Sequence, residues 1–169
     1  MRKLNILKTC LDLFFFFGIL SFAAALIFVP MAVFSDEAID LTVNGRNIVV
    51  DNWGAKTLLI CWLVAAALFV KAIQFLRRIV KSFVKREIFT DDVIKNFNLV
   101  GICLLISTLV VGIPNFIYHA IFHSKVGFEL EVGSFDSGIL SIALALFFMV
   151  LSEVFKIAKH LKEENDLTL

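Results

Sequence analysis

The sequence has few charged residues, few prolines and few cysteines for its length. Only 18% of its 169 residues are Asp, Glu, Lys or Arg, whereas about a quarter of the residues in a typical soluble domain are charged. The three cysteines, Cys10, Cys61 and Cys103, lie in or beside apolar stretches, and Cys61 is predicted near the opposite membrane face from the other two. A disulfide framework is therefore not expected.

The sequence also lacks the motifs that carry common chemistries. It contains no Gly-rich phosphate loop, no Cys-x-x-Cys pair, no zincin pattern and no order of Ser, His and Asp typical of a hydrolase. Its net charge of +1 provides no overall field that would recruit nucleic acid. We therefore expect a protein that is not an enzyme, with no catalytic residues, no cofactor and no direct nucleic-acid partner.

Apolar residues are abundant: 60% of the chain is hydrophobic, and 19 residues are phenylalanine. A membrane helix needs about 20 apolar residues, because each residue rises about 1.5 Å and the hydrocarbon layer is about 30 Å thick. Four runs of this kind predict spans at about 11–34, 57–76, 97–118 and 138–156. The predicted fold is a single all-α membrane domain over residues 1–169, with connections at 35–56, 77–96 and 119–137 and a tail at 157–169.

The distribution of lysine and arginine predicts the orientation of these spans. Basic residues concentrate before the first span, between the second and third, and after the fourth, whereas the two remaining loops contain three in all: Arg46, Lys56 and Lys125. Short cytoplasmic loops carry such an excess. We therefore expect both termini, the loop 77–96 and the tail 157–169 in the cytoplasm of a bacterium, with the chain in its cytoplasmic (inner) membrane.

Short β-hairpin-like segments are predicted in the extracytoplasmic loops. Residues 41–50 contain Asn44-Gly45 between β-branched residues, a pattern typical of a two-residue hairpin turn. Residues 127–132 alternate apolar and acidic side chains, as a half-buried strand does. One hypothesis is that the two segments pair into a small sheet, since a lone hairpin is only marginally stable in water.

The cytoplasmic loop contains a helix start. Thr90 is a good N-cap, Asp91 and Asp92 place carboxylates in the first helical turn, and Phe89 and Ile94 stand at the positions of a hydrophobic staple. This pattern predicts that the third helix begins near Asp91. It explains the paired carboxylates without a metal or a catalytic role.

Basic and apolar residues alternate before that helix start, as on an amphipathic helix at the membrane surface. We interpret this stretch and the acidic tail as contacts for anionic lipid or for a cytoplasmic partner. The residues are Arg77, Arg78, Lys81, Lys85, Arg86, Glu163, Glu164, Leu167 and Leu169.

Three ionisable residues, Asp12, Lys71 and Glu153, lie closest to the predicted hydrocarbon layer. Charges near a helix end commonly extend toward the interface, and those at membrane depth tend to pair. We expect a charge cluster at the inner leaflet in which Lys71 pairs with Glu153 or Asp12. A proton or ion path is the alternative interpretation.

His119 and His123 are four residues apart, so a continuing helix would place them on one face. That spacing can hold a transition metal. Because no third ligand is assignable, they are only weak metal candidates, and two histidines at the membrane interface are the preferred interpretation.

The two halves of the chain also resemble each other weakly. Val29-Pro30 and Ile113-Pro114 fall near the same predicted membrane face, where Pro30 is expected to close the first helix, and each half reads as helix, extended segment, helix. Parallel repeats occur in transporters. This pattern and the charges at the membrane edge are the basis of one functional hypothesis, a small oligomeric transporter or channel.

The ending Glu163-Glu164 followed by Leu167-Thr168-Leu169, together with Ile88-Phe89-Thr90 before the third span, resembles the domain-of-unknown-function 2975 family, which includes YoaS-like bacterial membrane proteins. The resemblance covers essentially the whole chain and implies four spans. It carries no biochemical activity. It implies a possible partner, a small helix-turn-helix repressor. The preferred hypothesis rests on the structured outer region and the two charged inner segments: a non-enzymatic sensor, regulatory or immunity-like protein that couples the envelope to a cytoplasmic partner. A homo-oligomer is a further candidate assembly.

Overall fold

The structure, a computed structural model, describes residues 2–35, 39–43, 46–50, 53–122 and 132–167. Four helices account for most of this chain: α1 (Arg2–Phe34), α2 (Trp53–Val84), α3 (Asp91–Phe122) and α4 (Val132–Leu167). All four are long and apolar enough to cross a membrane. The expectation of four helices with the length and composition of membrane helices is thereby confirmed.

The helices are longer than the predicted spans. They contain 32 to 36 residues, which corresponds to roughly 50 Å at the α-helical rise, whereas the hydrocarbon layer measures about 30 Å. Most of the predicted loop 77–96 is consequently helical, because α2 continues to Val84 and α3 begins at Asp91. The tail 157–169 is helical as far as Leu167.

Helix α4 also includes Asn165 and Asp166, close to its end. Asn and Asp are only weakly unfavourable in a helix. Two pairs spaced i,i+4 stabilise these last turns: Lys159 lies 3.5 Å from Glu163, and His160 lies 3.4 Å from Glu164.

Neither proline ends its helix. α1 continues to Phe34 beyond Pro30, and α3 continues to Phe122 beyond Pro114. The expectation that Pro30 closes the first helix was wrong. In lipid, leaving a helix exposes many unpaired backbone groups, so membrane helices tolerate a proline that would break a helix in water.

The helices pack in the order of the chain: α1 against α2, α2 against α3, and α3 against α4. Consecutive helices are antiparallel, as contacts near both ends of α1 and α2 demonstrate: Asp12 to Arg77, and Ser35 to Lys56. α1 and α3 thus begin, and α2 and α4 end, on the same side of the molecule. We call this side the basic end, since Lys8, Arg78, Lys81, Lys85 and Lys95 lie there.

Two short strands connect α1 and α2 on the opposite side. β1 (Ile39–Val43) and β2 (Arg46–Val50) are antiparallel, with Ile39 opposite Val50 and Val43 opposite Arg46. The predicted turn residues Asn44-Gly45 lie outside the described residues. So do residues 127–131 of the second predicted extended segment, while Val132 begins α4.

The best-buried part of the molecule is a group of aromatic and aliphatic side chains toward the basic end. Ile79 of α2 and Val93, Phe97 and Val100 of α3 are at most 4% exposed. The ring of Phe97 lies 5.1 Å from that of Phe155 in α4. Side chains of three helices therefore form one hydrophobic core at this end.

One buried polar group joins α3 to α4 within this region. The hydroxyl of Ser152, 4% exposed, donates a hydrogen bond of 2.8 Å to the carbonyl of Ile94. Its hydrogen bond satisfies a hydroxyl that would otherwise be costly to bury.

Helix α2 ends in a Schellman motif. The amide of Glu87 donates to the carbonyl of Ser82 at 3.0 Å, and the amide of Arg86 donates to the carbonyl of Phe83 at 3.1 Å. Arg86 occupies the left-handed position, with φ 64°. A glycine normally stands there, because a Cβ atom is sterically unfavourable at positive φ.

Replacing Arg86 with glycine is expected to raise the free energy of unfolding by about 1 kcal/mol, since it removes that steric cost. The neighbouring Lys85→Gly is the matched control. Lys85 does not have a positive φ, so glycine there should lower stability by about 0.5–1 kcal/mol. Thermal unfolding in mild detergent measures both; a loss of stability in Arg86→Gly would contradict the left-handed assignment.

Candidate functional site

A polar cleft lies between α2 and α3 at the basic end. It has a volume of about 440 Å³. Both helices contribute residues at spacings i, i+3, i+4 and i+7, which is one face of a helix. The lining residues are Arg78, Lys81 and Ser82 from α2, Lys85 from the turn directly after it, and Asp92, Lys95, Asn96 and Leu99 from α3.

A second cleft, of about 380 Å³, lies between α1 and α2. It shares Arg78 and Lys81 with the first cleft and adds Lys8, Asp12 and Gln74, besides Arg77. The two clefts flank the same turns of α2. The basic residues of α2 thus face two neighbouring helices rather than one.

An ion pair connects α1 to α2 in the second cleft. The guanidinium of Arg77 donates from Nε to Asp12 Oδ1 at 2.6 Å, and its carbon lies 4.2 Å from the ring centre of Phe15. Both charged side chains remain partly exposed, at 33% and 41%. The pair fixes the relative height of the two helices at the basic end.

The predicted pairing of Lys71 with Asp12 or Glu153 was wrong. Asp12 pairs with Arg77, Glu153 lies 3.9 Å from Lys156 of its own helix, and Lys71 is exposed, with no ion pair within the described part of the chain. The helix order explains this arrangement. α3 lies between α4, which carries Glu153, and α2, which carries Lys71.

A double-mutant cycle of Asp12→Asn and Arg77→Gln should yield a coupling energy of about 0.5–1 kcal/mol, the usual size for a partly exposed pair. Lys71→Gln combined with Asp12→Asn provides the control and should yield no coupling. Unfolding by denaturing detergent gives these energies. Coupling of Asp12 to Lys71 rather than to Arg77 would contradict the observed pairing.

The model of a family described as "Protein of unknown function (DUF2975)" matches residues 23–169. The chain belongs to the DUF2975 family. The match includes all of α2, α3 and α4, and with them the cleft between α2 and α3. No curated protein and no solved structure matches the chain.

In this DUF2975 protein the residues predicted as a helix cap lie where α3 meets α4. The carbonyl of Thr90 accepts hydrogen bonds from the amides of Val93 and Ile94, at 3.1 and 3.2 Å. Asp91 accepts a hydrogen bond of 2.7 Å from Lys159. The ring centre of Phe89 lies 6.0 Å from that of Phe155, with the two rings tilted by 37°. Asp92 instead lines the cleft between α2 and α3.

The residues predicted for partner or lipid contact are divided among three surroundings. Arg78, Lys81 and Lys85 line the clefts, and Arg77 is engaged with Asp12. Arg86 terminates α2. Glu163 and Glu164 face basic groups of their own helix, and Leu167 is 87% exposed. Leu169 lies outside the described residues.

The weak metal candidates are not placed by the structure. His123 and the side chain of His119 lie outside the described part of the chain. Among the residues that are described, no group of three or more His, Cys, Asp or Glu side chains is arranged to hold a metal ion.

The contribution of α3 to the cleft was not predicted from the sequence. Ser82, Lys95 and Asn96 line the cleft and were not among the predicted contact residues. A signal was available, because the polar residues of both segments follow the same i, i+3, i+4, i+7 spacing. Because the helix cap at Thr90 starts a new helix after α2, the two faces lie on consecutive antiparallel helices.

Proposed function

We propose that this DUF2975 protein is a non-enzymatic sensor, regulatory or immunity-like protein of the bacterial cytoplasmic membrane that couples the envelope to a cytoplasmic partner. The supporting observation is the packed basic end. α2, α3 and α4 extend beyond the length of a membrane crossing and close over one phenylalanine-rich core. Because these helices are packed together at this end, a movement of the helices within the membrane would also move the charged surface there.

The orientation in this proposal places the basic end in the cytoplasm. It rests on the excess of lysine and arginine at that end, which is the usual bias of cytoplasmic segments. The hairpin of β1 and β2 would then lie outside the membrane on the opposite side, where a change in the envelope could act on it. Coupling between the two sides would run through α2, which directly follows β2.

The partner surface in this proposal is the charged end of α4. Leu161 is 60% exposed and Leu167 is 87% exposed, and the acidic Glu163 and Glu164 lie between them. Exposed apolar residues surrounded by charges are typical of a surface that binds another protein. A small helix-turn-helix repressor as that partner is implied by the family resemblance alone.

Purification of the tagged protein from its host after mild crosslinking tests this proposal. We expect one cytoplasmic protein in stoichiometric amount. Glu163→Lys combined with Leu167→Asp should reduce its recovery by at least about tenfold, which corresponds to the roughly 1.4 kcal/mol expected when such contacts are lost. Glu87→Lys, an exposed charge reversal in the turn after α2, is the matched control and should leave recovery unchanged.

Two outcomes would contradict the proposal. If the variant with both α4 substitutions recovers the partner as well as the original protein does, the end of α4 is not part of the partner surface. A protein that purifies only with copies of itself would favour the alternative function, a small oligomeric transporter or channel, and flux measurements in proteoliposomes would then test that alternative.

A further inference from the structure

The cleft between α2 and α3 has a charge pattern that needs a counter-charge. Four basic side chains, from Arg78, Lys81, Lys85 and Lys95, line it together with one carboxylate, that of Asp92. In the described part of the chain, none of these four cations makes an ion pair. Other basic residues nearby are engaged: Arg77 pairs with Asp12, and Lys159 pairs with Asp91.

The position of the cleft indicates the source of that counter-charge. Arg78 lies just after the apolar run of α2, and Leu99 lies just inside the apolar run of α3. The seven steps along the chain from Arg78 to Lys85 correspond to a rise of about 10 Å, comparable to a layer of lipid headgroups, which is roughly 5–8 Å thick. The cleft therefore opens at the height where phosphate groups of the lipid are found.

We propose that the cleft between α2 and α3 binds the phosphate of an anionic phospholipid. Lys81, Lys85 and Lys95 provide charged donors for its oxygens, and Ser82 and Asn96 provide neutral hydrogen-bond donors at the same level. Leu99 contacts the start of the acyl region at the deep end of the cleft. Basic pockets between membrane helices are known to hold acidic headgroups in this way. The inference is independent of the protein partner proposed above.

Native mass spectrometry of the purified protein, titrated with phosphatidylglycerol or phosphatidylcholine, tests this inference. We expect one phosphatidylglycerol to bind at least about tenfold more tightly than phosphatidylcholine, since each basic residue contributes roughly fivefold to the affinity for an anionic lipid. The variant K81Q/K85Q/K95Q should lose at least about tenfold of that affinity. All three side chains are exposed, so the variant should fold, and an unchanged melting temperature without added lipid verifies this.

The matched control is K3Q/K156Q/K162Q. It removes the same charge from exposed positions of the basic end that do not line the cleft, and its affinity should remain within about twofold of the original. Equal losses in both triple variants would overturn the site in favour of general surface attraction. Equal binding of the two lipids would also overturn it. Displacement of the lipid by inorganic phosphate, at constant ionic strength, would overturn the lipid assignment and identify free phosphate as the ligand.

Discussion

Replacing Phe97 with alanine is expected to lower the free energy of unfolding by about 3 kcal/mol. Phe97 is 4% exposed, and its ring centre lies 5.1 Å from that of Phe155, 6.2 Å from that of Phe83 and 6.2 Å from that of Phe148. It therefore connects α2, α3 and α4. Truncation to alanine removes these contacts and leaves a cavity that rigid helices fill only partly.

Phe116→Ala is the matched control, because Phe116 lies on the same helix but is 76% exposed. Its replacement should change stability by less than about 0.5 kcal/mol. Titration with a denaturing detergent, followed by circular dichroism, measures both variants. Similar losses in Phe97→Ala and Phe116→Ala would contradict the placement of the core at the basic end.

Replacing Gly101 with alanine is expected to lower the free energy of unfolding by about 1–3 kcal/mol. A methyl group there would lie 2.5 Å from Met149 Cγ and 2.7 Å from the carbonyl oxygen of Ala145. The methionine side chain can move aside, but the carbonyl belongs to the backbone of α4. The two helices would have to separate, and the close packing that small residues permit between membrane helices would be lost.

Gly112→Ala distinguishes this packing effect from helix propensity. Gly112 also lies in α3, and a methyl group added there meets no other atom within 4 Å. Alanine is the better helix former by about 1 kcal/mol, so Gly112→Ala should be neutral or stabilising. If both glycine variants are stabilised, the close approach of α3 and α4 at Gly101 is wrong. The crosslinking yield between cysteines placed in α3 and α4 provides a second readout.

The number of helices was predictable from the sequence because their apolar runs match the thickness of a membrane and backbone groups in lipid must pair within a helix. Helix ends were less predictable. Proline breaks a helix in water, but within lipid the backbone groups that would be left unpaired make leaving the helix more costly, and α1 continues past Pro30 to Phe34. The predicted span 11–34 ends where α1 ends, whereas the expectation that Pro30 closes the helix placed that end too early.

The ion pairs required information that a single sequence does not contain. Lys71 and Arg77 are six residues apart, which places them about 120° apart around α2. Only the packing of α1 on α2 decides which of them meets Asp12, and only the order of the helices separates Glu153 from both. The cleft was only partly predictable from the sequence. The basic face of α2 was predicted as a contact surface, but the matching face of α3 was not.

Cysteine accessibility in intact cells tests most directly the central claim that a four-helix membrane protein presents its basic end to the cytoplasm. Cys10, Cys61 and Cys103 would first be replaced by alanine, and Lys85→Cys or Trp53→Cys would then be introduced singly. Both positions are exposed, at opposite ends of α2. We predict that a membrane-impermeant maleimide labels Trp53→Cys in intact cells and Lys85→Cys only after permeabilisation. Labelling of Lys85→Cys in intact cells would contradict the orientation and the proposed function that depends on it.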